Sequence, residues 1–168
     1  MQDLLPAAER VGALLKARGG TLAVAESSAG GLVSAALLSV PGASAYFQAG
    51  VVVYTQAVRT ELLGITAADM AGLRPSTEPY ARLVAERVRD RLGTTWGIAE
   101  TGATGPAGNR YGDPAGHACL AVAGPVERVR TVATGSADRA GNMRAFALAL
   151  LDLLAQAVEA APDPAARP

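Results

Sequence analysis

The sequence predicts an α/β domain, a mixed β-sheet flanked by helices on both faces in a three-layer α/β/α arrangement. Three observations lead there. Short apolar runs alternate with stretches of helical period, the pattern of strand–helix–strand units around a parallel sheet. Two later apolar runs follow one another across a Gly-Pro turn, which adds an antiparallel hairpin and makes the sheet mixed. Half of the 168 residues are hydrophobic but only 4% are aromatic. The core must therefore be built from Ala, Val and Leu, and a chain of this length can bury it as one domain spanning residues 1–168.

The elements follow in order. Leu4, Leu5, Ala8, Val11, Leu14 and Leu15 recur at helical spacing over residues 3–18, and Gly19 and Gly20 stop that helix. Residues 21–25 form an apolar run that reads as a buried strand. Helical spacing returns from about Ser28 through Leu32, Val33, Ala36 and Leu37, until Pro41-Gly42 breaks it. The β-branched run at 50–55, "GVVVYT", predicts a second strand, and 56–63 a short helix. A longer helix over 76–93 has Ser76 or Thr77 as cap and Pro79 in its first turn. "TWGIAET" is the third strand and leads into a glycine-rich loop at 102–116. Residues 117–124 and 126–134 form the hairpin around Gly124-Pro125, and a last helix covers 138–160 before a frayed tail at 160–168.

Charge and composition exclude several functions. Fifteen basic residues balance fifteen acidic ones with no basic cluster, so nothing predicts nucleic-acid binding. No apolar segment is long enough to cross a bilayer, and the charged N-terminal helix is not a signal peptide, so a soluble cytoplasmic protein with no membrane partner is expected. One cysteine, Cys119, and one histidine, His117, leave no basis for a disulfide, a zinc site or another metal centre. No G-x-G-x-x-G or G-K-[ST] motif is present, and no cofactor is expected. Of the fifteen basic residues, fourteen are arginine and only Lys16 is lysine.

Two stretches could carry chemistry. In "AVAESSAGG" (23–31), a strand gives way to a helix at Glu26, Ser27, Ser28, Gly30 and Gly31. The free N–H groups of such a turn can bind an anion or an oxyanion, and a serine there is exposed like the nucleophile of a strand–turn–helix elbow. The plainer alternative is that Ser27 or Ser28 caps the helix. In "ETGATGPAGNRYGDPAG" (100–116), Gly102, Gly105 and Gly108 recur every three residues after a strand and permit close backbone approach to a ligand. Because both stretches follow strands, they are expected to meet in one pocket at the strands' carboxyl ends. His117 invites a Ser–His pairing but is more simply a structural residue heading a strand. By the same default, Tyr54 is an edge aromatic and Arg59 a solvated charge.

Taken together, four motifs resemble the CinA C-terminal-domain family, the bacterial nicotinamide-nucleotide amidohydrolases. The family's "AES-C-T-GG" is matched by Ala25 through Gly31, and its "PGSSxxFxxGxVxYsNxxK" by residues 41–59. Its "SEP" is matched by Thr77-Glu78-Pro79, and its "SGIAGP…PVG" by 101–106 and 114–116. The resemblance implies an α/β sandwich, usually a homodimer, that hydrolyses the carboxamide of nicotinamide mononucleotide to nicotinic acid mononucleotide and ammonia, without metal or cofactor. It implies Ser27 as nucleophile and Tyr54 as its assistant. It also implies a substrate-binding set of Glu26, Gly30, Gly31, Thr101, Gly102, Thr104 and Gly105, in which the turn or the glycine loop holds the oxyanion or the phosphate.

The third catalytic position departs from the family. Arg59 stands where the family has the lysine that serves as base, and arginine keeps its proton. Ser28 and Ala29 replace a cysteine and a threonine, and "GSADRAGNMR" matches the family's last motif only loosely, so Arg139 and Arg144 receive no role. The leading expectation is an amidohydrolase impaired by Arg59. The alternative is a non-catalytic nucleotide-binding protein linked to competence or damage response. A third reading is hydrolysis of a different amide or ester with Tyr54 as base. At this length the chain is expected to lack the N-terminal nucleotide-hydrolysing domain of longer CinA proteins.

Overall fold

The structure is a computed structural model that describes residues 1–162. Its five strands are β1 (Leu22–Glu26), β2 (Phe47–Val52), β3 (Trp96–Ala103), β4 (His117–Ala123) and β5 (Arg128–Ala133). They form one sheet in the order β2-β1-β3-β4-β5. β1 pairs parallel with β2 and with β3, while β3–β4 and β4–β5 are antiparallel, so the sheet is mixed. Five helices cover it: α1 (Leu5–Ala17), α2 (Leu32–Leu38), α3 (Gln56–Glu61), α4 (Glu78–Leu92) and α5 (Arg139–Ala160).

Period-2 alternation sorts the strand residues by size. Leu22, Val24, Ile98, Leu120 and Val122 face one side and pack with buried residues of α1, α2 and α5, including Val11, Leu37, Phe146 and Leu150. Ala23, Ala25, Ala99, Ala121 and Ala123 face the other side, where α4 lies with Tyr80, Ala81, Val84 and Val88. Small residues let α4 come close. A Cβ added at Gly97 would stand 2.1 Å from the Ala85 carbonyl oxygen, so only glycine fits beneath the helix.

Several boundaries differ from the sequence expectation, and three of them show why. α2 begins at Leu32 rather than Ser28, because Gly30 and Gly31 take φ of +68° and +94° and break the helical path. β2 is Phe47–Val52 rather than 50–55, since its register is set by pairing Leu22 with Phe47 and Glu26 with Val52. The β-branched run thus extends past the end of its strand. β3 continues to Ala103 because Gly102 and Ala103 pair with Ala118 and His117. At the C-terminus, Ala160 closes α5, and Ala161 is buried with its carbonyl accepting from Arg18. The start of the expected frayed tail is therefore anchored, and its remainder, 163–168, lies outside the described residues.

Candidate functional site

Two buried carboxylates build the turn that carries Ser27. β1 and β3 run side by side, with Ala25 opposite Ala99, and each continues with a glutamate, Glu26 and Glu100, both fully or almost fully buried. The Glu26 carboxylate accepts from the N–H groups of Gly31, Val33 and Ser34 at 2.9–3.0 Å and from Ser34 Oγ at 2.7 Å. It thereby caps α2 from within and favourably meets its dipole. Glu100 Oε2 accepts from the N–H groups of Ser27 (3.1 Å) and Ala29 (2.7 Å), and its Oε1 accepts from Ser28 Oγ. Burial pushes the Glu100 carboxyl up, and the Glu26 charge adds to that, while the donors from Ser28, Ala29 and Ser27 pull it back.

This geometry corrects three expectations. Neither Ser27 nor Ser28 caps α2; Glu26 does. The Gly30 and Gly31 N–H groups are not free to hold a ligand, because they donate to the Ser27 carbonyl and to Glu26. Glu26 itself spends its carboxylate on the helix and is not among the residues that line the Ser27 cleft. Thr104 and Gly105 also lie apart from the cleft. Their carbonyls accept from Asn142 and Arg139, which tie the loop to α5.

Ser27, half-buried, lines a cleft of about 480 Å³ beyond the carboxyl ends of β1 and β3. Thr101 and Gly102 line it as well, so the serine turn and the start of the glycine loop share one cleft. Tyr54 and Arg59 contribute from the β2–α3 side, with Thr55 Oγ1 capping α3. Tyr54 is 64% exposed at the rim. The buried tyrosine against Arg59 is Tyr80, whose hydroxyl is pushed up by burial and partly drawn back by the guanidinium. Arg59 Nε is buried and has no hydrogen-bond partner among the described residues, although the same guanidinium faces the Tyr80 hydroxyl.

The far wall was not anticipated from the sequence. It consists of Arg74, Ser76, Asn109, Arg110 and Tyr111. Arg74 grips Asp113 through two hydrogen bonds of 2.7 and 3.0 Å, which hold that carboxyl down at about 2. Asp113 also accepts from Asn109 and so folds the 109–113 loop onto the cleft. The Tyr111 ring lies 5.6 Å from the Arg74 guanidinium and 5.0 Å from that of Arg110. Ser76 is buried at φ +61°, its N–H donating to Thr101 Oγ1. His117 sits behind the cleft, and its Nε2 must donate to the Ser76 carbonyl at 3.0 Å, since a carbonyl can only accept. It therefore supports Ser76 and makes no Ser–His pair with Ser27.

Among the described residues, three arginines and no carboxylate line this cleft. A positive concave site with aromatic faces suits an anionic ligand that carries a planar ring.

A family model, the CinA C-terminal domain, matches residues 5–158. The chain is 43% identical over 155 residues to a CinA-like protein of Anaeromyxobacter dehalogenans, covering 90% of this chain and 38% of that protein. It is 46% identical over 115 residues to a CinA-like protein of Gloeobacter violaceus, covering 68% of this chain and 27% of that one. The chain thus spans well under half the length of these curated relatives. Among solved structures, a competence-damaged protein (CinA) superfamily member from Klebsiella pneumoniae superposes with a TM-score of 0.85 at 24% identity, covering 92% of this chain and 96% of the other. A competence damage-inducible protein A from the same species gives a TM-score of 0.81 at 26% identity, covering 92% and 94%.

Proposed function

Since the chain belongs to the CinA C-terminal domain family, we propose that its cleft binds nicotinamide mononucleotide and slowly hydrolyses the carboxamide, with Ser27 as nucleophile. The observation that carries this reading is the placement of a half-buried serine in a cleft that also holds three arginines, three tyrosines and, among the described residues, no carboxylate. The phosphate suits the guanidinium groups, and the pyridine ring suits the aromatic faces. Ser27 Oγ would attack the carboxamide carbon and the C–N bond would break. The serine proton would leave with ammonia, and water would then release the carboxylate. Neither a metal nor a cofactor enters this scheme.

Slow turnover follows from two groups. Arg59 cannot accept the serine proton, and a positioned general base typically contributes about 10²- to 10⁴-fold. The Ser27 N–H already donates to Glu100, and one oxyanion donor is typically worth about 10²- to 10³-fold. These same two observations favour a second reading, in which the cleft holds the nucleotide without turning it over. We carry a homodimer and a cytoplasmic location as part of the proposal. No helix among the described residues is long and apolar enough to cross a membrane, and the dimer is checked by sedimentation, which should give the mass of two chains.

Ammonia release from nicotinamide mononucleotide separates the two readings. Slow release that disappears in Ser27→Ala and rises in Arg59→Lys supports hydrolysis. Nucleotide binding with no ammonia from either wild type or Arg59→Lys supports retention alone.

A further inference from the structure

The arginines of the cleft suit a phosphate, but they offer nothing to the nitrogen of a carboxamide. A guanidinium has donors and no acceptor, so an amide NH₂ needs an oxygen elsewhere. Among the described residues no carboxylate lines the cleft. Most other side-chain oxygens there are committed. Thr55 Oγ1, Thr101 Oγ1 and Asn109 Oδ1 accept from backbone N–H groups, and Tyr111 Oη accepts from Arg110. Two nearly buried hydroxyls remain, those of Ser76 and Tyr80, which are 4% and 6% exposed and both line the cleft. The Ser76 backbone is engaged on both sides, its N–H by Thr101 and its carbonyl by His117 and by Cys119 Sγ at 3.5 Å. The polar atom it has left for the cleft is its hydroxyl. Thr77, next in the chain, differs, because its hydroxyl is spent on the Arg74 carbonyl and on capping α4.

The Tyr80 ring is packed in the apolar cluster between α4 and the sheet, and its hydroxyl end meets Arg59 in the cleft. Beside a guanidinium, a phenol oxygen can only accept, and its own proton turns away toward another acceptor. Building on the nucleotide reading above, we propose that Ser76 and Tyr80 read the carboxamide, Tyr80 Oη donating to the amide oxygen and Ser76 Oγ accepting from the amide NH₂. Both hydroxyls come from the entry to α4, so one element sets their placement. Tyr80 and Ser76 are then specificity-determining residues, and Arg59 and His117 position them. A ring that lacks the amide forfeits both hydrogen bonds while keeping every contact to its phosphate.

Calorimetric titration tests this with two probes, nicotinamide mononucleotide and the pyridinium ribonucleotide that lacks only the carboxamide. The proteins are wild type, Tyr80→Phe and Ser76→Gly, since glycine takes the φ of +61° at residue 76 without strain. The wild type should bind the amide nucleotide about tenfold or more tightly than the amide-free one, the scale of two net hydrogen bonds. Each variant should weaken the amide nucleotide about three- to tenfold and leave the amide-free one unchanged. Equal affinity of the wild type for both probes would overturn the proposal. So would variants that weaken both probes by the same factor, because the hydroxyls would then shape the cleft without reading the amide. Failure of both probes to bind the wild type would instead remove the underlying nucleotide reading, and this subsite with it.

Discussion

Glu100 shows what one side chain does for this site. Its carboxylate gathers the Ser27 and Ala29 N–H groups on one oxygen and the Ser28 hydroxyl on the other. Glu100→Ala leaves those three donors without an acceptor, and each such loss typically costs about 1–3 kcal/mol. Urea unfolding should therefore show at least about 2 kcal/mol of destabilisation. Glu100→Gln is different, because its oxygen can take both amides while its NH₂ donates to Ser28 Oγ. It should stay within about 1 kcal/mol of wild type near neutral pH. The pH dependence follows from the same burial. The folded carboxyl is raised above its ordinary 4.5, so the native state holds this proton more tightly than the unfolded chain. The stability it confers is full below that ordinary value and is lost as pH rises through the raised one. Glu100→Gln should remove this decline from a stability–pH curve. Parallel curves for the two proteins would show that Glu100 does not titrate in this way. The role was written in the sequence in a form that is easy to pass over. Two strands carry like stretches, "AVAES" and "GIAET", but only their pairing brings the two glutamates to one turn.

At the scale of elements, the site depends on how closely α4 approaches the sheet. Ser76 precedes this helix and Tyr80 lies in its first turn, so both ride on its placement over Gly97. Gly97→Ala forces the helix away and should cost about 1–3 kcal/mol, as overpacking typically does. It should also weaken nucleotide affinity, which thermal unfolding and titration would check together. Unchanged stability would mean that the sheet yields instead of the helix. The 109–113 loop has its own latch in Asp113. Its carboxyl sits at about 2, well below the ordinary 3.8, so its contribution is present above the ordinary value and lost as pH falls through about 2. Asp113→Asn should therefore weaken the loop at neutral pH as well. Amide exchange at Tyr111 and Asp113, whose N–H groups donate to Asn109 Oδ1, should speed up in that variant. Identical exchange would show that Asn109 holds the loop without the ion pair. Helical spacing marked the helices and short apolar runs marked the strands, because burial imposes both patterns. The boundaries that moved did so for tertiary reasons, such as the internal cap from Glu26 and the β1–β2 register, which propensity alone does not contain.

Across the whole molecule, the parallel half of the sheet delivers the Ser27 turn and the Gly102 segment to one end. The antiparallel half anchors the loop that closes the far wall. The order of strands and helices made that meeting of Ser27 with Thr101 and Gly102 legible before any coordinates. The arginine wall was not legible, because Arg74, Arg110 and Tyr111 sit in loops whose course is fixed by long-range pairs such as Arg74 with Asp113. Tyr80 was hidden for another reason, as a helical tyrosine looks like core until Arg59 is seen beside it. Under the proposed function, the molecule as a whole is a cleft for an anionic mononucleotide, whether or not the amide is cleaved. Calorimetric titration of the wild-type protein with nicotinamide mononucleotide at low salt tests this most directly. Saturable one-to-one binding tighter than about 1 mM, or about −4 kcal/mol, which weakens as salt screens the arginines, is the expected result. No detectable heat at millimolar nucleotide would contradict it.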